Sequence, residues 1–205
     1  MQKTSTSSIF GWIMTLAIVV LLVMYYSNSQ NQTIKNVTLT QNVPPVDPTR
    51  TVPSLTVPEG YTVVKNYQYQ ALGPGKDING IKYIIPASMA TGTNLATDTY
   101  ISLEQIPMTA STTCSASLFT FQHVKPISRV DLGIKYSFAS SSDAAAGNRY
   151  EESIYATPVN AMCVAVRYFI HYGSFSNYPK GVVKEFDKKA LITAFDQIRR
   201  TLIVK

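Results

Sequence analysis

Charge is scarce in this chain. Asp, Glu, Lys and Arg make up 15% of the 205 residues while 45% are hydrophobic, which excludes both a disordered polyelectrolyte and a polytopic membrane protein. Tryptophan occurs once against 13 Tyr, and 11 Pro with 10 Gly sit among abundant Ser and Thr. That balance favours strands and turns over a helical bundle. Histidine occurs at positions 123 and 171 alone, and neither an HExxH nor a His-x₃-His arrangement is present, so no metal site and no cofactor is expected. The nearest approach to a nucleophile elbow, Gly173-Ser174-Phe175-Ser176-Asn177, puts Asn177 where GxSxG requires glycine. Paired carboxylates occur once, at Glu151-Glu152, and neighbours on a strand point to opposite faces, which precludes a glycosidase pair. Gly73-Pro74-Gly75-Lys76 lacks the spacing of a phosphate loop and reads as a turn. No catalytic residue is assigned.

Long apolar runs are limited to one. Residues 9–26, IFGWIMTLAIVVLLVMYY, are 18 residues without a charge, enough to cross most of a ~30 Å hydrocarbon core as a helix. Trp12, Tyr25 and Tyr26 fall at its ends, where aromatic rings favour the interface. Lys3 and the amino terminus precede the run and the next basic residue is Lys35, which places residues 1–8 in the cytoplasm and the rest outside. A cleaved signal peptide is the alternative, with Ser27 and Ser29 at the spacing of a cleavage site, although the run exceeds a usual signal core. A lipoprotein signal is excluded, since no cysteine precedes Cys114. Either way the bulk of the chain is exported, so Cys114 and Cys163 are expected to form a disulfide.

Residues 27–58 are rich in Asn, Gln, Thr and Val, and Pro44, Pro45, Pro48, Pro53 and Pro58 forbid a regular helix there. They read as a semi-rigid linker to an α+β domain over 59–205. In 61–72, Tyr61, Val63, Lys65, Tyr67 and Tyr69 alternate with Thr62, Val64, Asn66 and Gln68, the period-two pattern of a strand. Further strands are expected over 81–86, 99–105, 132–139, 149–156 and 162–172, with 140–147 as a loop of small residues. Cys114, Leu118 and Phe121 at i, i+4 and i+7 suggest a short helix capped by Thr109 or Ser111. The clearest helix is 187–202, with an apolar stripe of Leu191, Ala194, Phe195, Ile198 and Leu202, Asp187 as N-cap, and Arg199 and Arg200 at its C-terminal end. The expected architecture is a single N-terminal transmembrane helix plus a mostly antiparallel sheet of about six strands flanked by two helices.

That order is similar to the PsbP-like α/β/α sandwich, through Lys82-Tyr83-Ile84-Ile85-Pro86, Tyr100-Ile101-Ser102-Leu103-Glu104 and Phe195-Asp196-Gln197-Ile198. The chain also resembles a group of uncharacterised bacterial envelope proteins over about residues 58–203. Gly92-Thr93-Asn94-Leu95, Gly147-Asn148-Arg149-Tyr150-Glu151-Glu152 and Asn177-Tyr178-Pro179 carry that likeness. The resemblance implies a binding or assembly role rather than an activity.

The expected function is a membrane-anchored, non-catalytic extracytoplasmic domain that binds an envelope protein or cell-wall component, with no nucleic acid as partner. The alternatives are an extracytoplasmic hydrolase with an unrecognised site and a minor pilin-like subunit. From 180 to 205 there are seven basic against three acidic residues, a local excess suited to an anionic surface or to solvent. Tyr172, Phe175 and Tyr178 form the candidate binding surface, because their loop carries aromatics without the alternation of a core strand. A four-residue hairpin loop over 158–161 would set Glu152 opposite Arg167, Tyr150 opposite Phe169 and Asn148 opposite His171. Glu152, Arg167 and His171 would then share a face as a candidate polar cluster.

Overall fold

The alternation of apolar and polar residues builds one seven-stranded sheet in which every neighbouring pair is antiparallel. The computed structural model describes residues 52–121 and 124–203, within the unit Pro48–Lys205. The expected span at 9–26, the first part of the linker and His123 lie outside the described residues. Among the described residues no helix is long and apolar enough to cross a membrane.

The strands are β1 (Thr62–Tyr69), β2 (Ile78–Ile84), β3 (Tyr100–Pro107), β4 (Ile127–Asp131), β5 (Ile134–Ala145), β6 (Asn148–Val159) and β7 (Met162–Gly173). They lie in the order β1-β2-β3-β7-β6-β5-β4. After β3 the chain crosses one face of the sheet to the far edge, then returns by three hairpins until β7 closes against β3. After β7 it crosses the other face as helix α2 (Lys188–Arg199), while α1 (Ala87–Ala90) is a single turn.

The helix face carries the larger core. Ile101, Leu103, Val164, Val166, Tyr168 and Tyr155 pack with Leu191, Phe195 and Ile198 of α2. Asp187 caps the helix by accepting from the Ala190 N–H at 2.9 Å, and Leu202 continues the buried stripe. Arg199 is buried instead of serving only the helix end. It donates to Tyr168 Oη, Asp131 and Asp196, tying α2 to β7 and to the end of β4. Leu55, inside the proline-rich stretch, is already part of this core, and the Ile203 N–H bonds the Ser54 carbonyl.

The opposite face is closed in part by the segment after β3. Ala139, Ala156 and Ala165 are small, which lets Ala116 and Phe119 settle directly onto the strands. Cys114 and Cys163 are joined, with Cα atoms 5.1 Å apart, and the bond clamps this segment to β7. A disulfide of this separation in sequence contributes about 4 kcal/mol on the chain-entropy account.

The two-helix sandwich is therefore corrected: the sheet has seven strands, and only α2 flanks it as a helix longer than one turn among the described residues. The expected helix over Cys114, Leu118 and Phe121 is an irregular segment with a 3-10 turn at Ala116–Phe119, capped by Ser115. Its hydroxyls explain this. Thr109 bonds Ser111 and Thr112, and Ser115 bonds Ser117 side chain and backbone, local closures that compete with helical hydrogen bonding. β4 was not expected because it is an almost wholly exposed edge strand without alternation. Leu132 is a turn residue at φ 48° followed by Gly133 at φ 79°, a two-residue hairpin turn with both central residues left-handed. Residues 140–145, expected as loop, extend β5 through pairing with β6 up to Ala145↔Asn148.

The expected hairpin register is also corrected. The β6–β7 loop has two residues, with Val159 facing Met162 and Asn160 at φ 54°. Pro158 pairs inside the ladder. It lies beyond Ala156, where β6 loses β5 as neighbour, so its missing N–H deprives no partner. Glu152 accordingly faces Phe169, Tyr150 faces His171, Asn148 faces Gly173, and Arg167 faces Ile154. The slip is two residues, and two residues preserve the face on which each side chain stands.

Candidate functional site

The part of the disulfide face left uncovered by the capping segment is built by alternation on β3, β6 and β7 and by a bulge in β1. The β1–β2 register shifts between Val64 and Tyr67, so one extra residue reverses the parity of β1. Val63 stands opposite Tyr83 of the helix face, while Tyr67 and Tyr69 turn to the disulfide face, opposite Gly80 and Ile78. The single alternation expected over 61–69 is thus broken in the middle. That break is what delivers two tyrosines to the site.

Below them lies a charged cluster. Arg167 is wholly buried and donates from Nε and Nη2 to both oxygens of Glu104, also wholly buried, at 2.8 Å each. Its Nη1 donates to Glu152 at 2.7 Å, its Nη2 to the Phe119 carbonyl at 2.6 Å, and its guanidinium lies 3.6 Å from the Tyr69 ring centroid. Ser102 donates to Glu104, and Tyr69 Oη donates to Glu152 at 3.0 Å. Burial alone would lower the pKa of the guanidinium, but the Glu104 carboxylate outweighs it and holds the group above its ordinary value. Burial raises the pKa of Glu152, because the attraction of Arg167 does not offset the loss of water. Gly80 makes room for the cluster: a Cβ there would meet the Leu103 carbonyl at 2.5 Å and the Glu104 Cγ at 3.1 Å.

Above the cluster runs an aromatic strip. Tyr67 meets Tyr100 edge-on with their hydroxyls 2.8 Å apart, Tyr100 stacks on Phe169 at 4.8 Å, Phe169 tilts toward Tyr150, and Tyr150 stacks on His171 at 4.5 Å. Lys82 Nζ sits 4.9 Å from the Tyr67 ring centroid. Burial pushes the Tyr67 phenol up to about 12 and the Tyr100 phenol higher still, so both stay neutral hydrogen-bonding groups at physiological pH. Beside the strip is a recess of about 200 Å³ whose lining includes Tyr69, Phe121, Asp143, Tyr150, Glu152 and Phe169.

The candidate polar cluster is brought together in part. Glu152 and Arg167 are bonded across the diagonal of the ladder, whereas His171, on the same face, pairs through Nδ1 with Asp98 at 2.7 Å. The candidate surface Tyr172, Phe175 and Tyr178 is divided. Phe175 is exposed, Tyr172 packs on Phe186 with its hydroxyl on Glu151, and Tyr178 packs over Gly173. Ser174 bonds Ser176, so the loop serine and His171 have separate partners. Asn94, Gly147 and Asn177, from the three envelope-protein motifs, meet at one end of the sheet. Asn94 Nδ2 donates to the Gly173 carbonyl and Asn177 Nδ2 to the Gly147 carbonyl. A Cβ on Gly147 would lie 2.5 Å from Asn177 Nδ2, so these motifs hold a structural joint.

Sequence reasoning missed Glu104, Asp143 and the pairing of Tyr67 with Tyr100. A signal for Glu104 was present, since an arginine in a strand as apolar as β7 requires a buried carboxylate, and Glu104 is the one carboxylate of β3. Among the described residues no three His, Cys, Asp or Glu side chains gather as a metal site. No family model, no curated protein and no solved structure matches this chain.

Proposed function

We propose that the chain is a membrane-anchored extracytoplasmic domain that binds another envelope component through the uncovered part of the disulfide face. The apolar run 9–26 supplies the anchor in this reading, and the Cys114–Cys163 bond is at home in an oxidising compartment. The observation that carries the reading is the strip Tyr67–Tyr100–Phe169–Tyr150–His171. Four half-buried rings set around the buried Tyr100, beside the capping segment, are suited to recognition: aromatic contact area stabilises a complex at small entropic cost. Tyr67 and Tyr100 join hydroxyl to hydroxyl at 2.8 Å within the strip.

The test is site-specific photo-crosslinking of the full chain in its native membrane. A photoreactive residue at position 150 should capture one envelope component reproducibly. The same probe at position 189, exposed on α2, should not. Equal capture from both positions, or none from position 150, overturns the reading.

A further inference from the structure

The recess beside the aromatic strip has a chemistry of its own. Glu104 and Glu152 share the single guanidinium of Arg167, which leaves one carboxylate in excess, and Glu152 is the one that reaches the recess. Asp143 stands opposite Tyr150 on the neighbouring strand and adds a second carboxylate at the rim. Among the described residues the lining contains no Lys, Arg or His, in a chain whose net charge is +6. The other walls include four rings, Tyr69, Phe121, Tyr150 and Phe169, among small and hydroxyl-bearing side chains, and the face of an aromatic ring carries negative potential. Tyr69 already holds one cation in this manner, the Arg167 guanidinium at 3.6 Å.

Resting on the binding role proposed above, we infer that this recess receives the alkylated ammonium group of a small organic cation. Carboxylates at floor and rim attract the charge, and aromatic walls accept the methyl groups that a hydrated metal ion or a bare ammonium could not use. The size agrees. About 200 Å³ is below the roughly 300–1,000 Å³ of sites that enclose a whole drug-sized ligand, so the recess takes a headgroup and leaves the rest of the ligand outside. Burial has also taken much of the water from Glu152, whose side chain still reaches the recess, and an incoming cation restores the lost stabilisation. Because Asp143 guards the rim, the structure assigns a cation without an adjoining phosphate over the headgroup of a phospholipid.

The experiment is titration calorimetry of the full chain in a maltoside detergent, at fixed ionic strength, with choline, with its neutral carbon isostere dimethylbutanol, and with glycerophosphocholine. Choline should bind saturably at one site, the isostere at least tenfold more weakly, and glycerophosphocholine several-fold more weakly. Asp143→Asn, on an exposed position that leaves the buried cluster intact, should weaken choline at least threefold, and Tyr150→Leu by more. Absence of saturable choline binding, equal binding of the neutral isostere, or an unaffected Asp143→Asn variant overturns the inference. Tighter binding of glycerophosphocholine overturns the choice of a free cation. Photo-crosslinking from position 150 reads the broader binding role independently, so failure of one is distinguishable from failure of the other.

Discussion

Arg167 of β7 and Glu104 of β3 meet across the diagonal of adjacent central strands, guanidinium to carboxylate through two hydrogen bonds of 2.8 Å, with neither side chain exposed to solvent. A pair buried this completely is costly to break. Removing the arginine leaves two carboxylates without their cation, so Arg167→Met should lower stability by about 3–5 kcal/mol. The double variant Arg167→Met with Glu104→Met removes both charges and should be less destabilised than Arg167→Met alone. Chemical denaturation of the variants measures this, and a double variant no better than the single one contradicts a cluster held by mutual charge.

The position of this pair was only half legible in the sequence. Alternation in β7 separated Arg167, Phe169 and His171 from Val164, Val166, Tyr168 and Ile170, and that separation holds in the fold. The register of β6 was misjudged because Pro158 is a strong turn former, yet here it occupies a ladder position whose N–H has no neighbour. Since the error was two residues, Glu152 stayed on the face of Arg167 and reaches it along the diagonal. The β1 bulge and the edge strand β4 had no signal of comparable strength: one extra residue looks like any other alternating residue, and an exposed edge has no apolar face to display. Hydroxyl-rich 108–121 mimicked a helix through three apolar positions, while its Ser and Thr side chains closed local bonds instead.

Two carboxylates should give opposite pH dependences. Glu152 has an ordinary value of 4.5 in the unfolded chain and a higher one when folded, because of burial. Between those values the folded state binds more protons, so this residue makes stability fall as pH rises through the window. Asp131 is held below its ordinary 3.8 by hydrogen bonds from Arg200 and Arg199. Its contribution is complete above 3.8 and is lost as pH falls through the folded value. Thermal midpoints across mildly to strongly acidic pH should therefore show Asp131→Asn flattening the acid-side loss and Glu152→Gln flattening the decline above it. Matching profiles for the two variants would contradict these assignments.

The Cys114–Cys163 bond holds an irregular segment rather than a helix, and such a segment has few backbone hydrogen bonds of its own to keep it in place. Replacing both cysteines by alanine should cost about 2–4 kcal/mol. Hydrogen exchange should quicken over 108–121 before it does over β7. Uniform quickening across the sheet would mean that the segment does not depend on the bond.

The central claim is that the uncovered aromatic part of the disulfide face is the working surface. Its most direct test pairs Tyr150→Ser and Phe169→Ser in the full chain and measures capture from a photoreactive residue at position 67, alongside the thermal midpoint. The account predicts that capture of the envelope component falls at least tenfold while the variant still unfolds cooperatively with its disulfide intact. Undiminished capture by a folded double variant would contradict it.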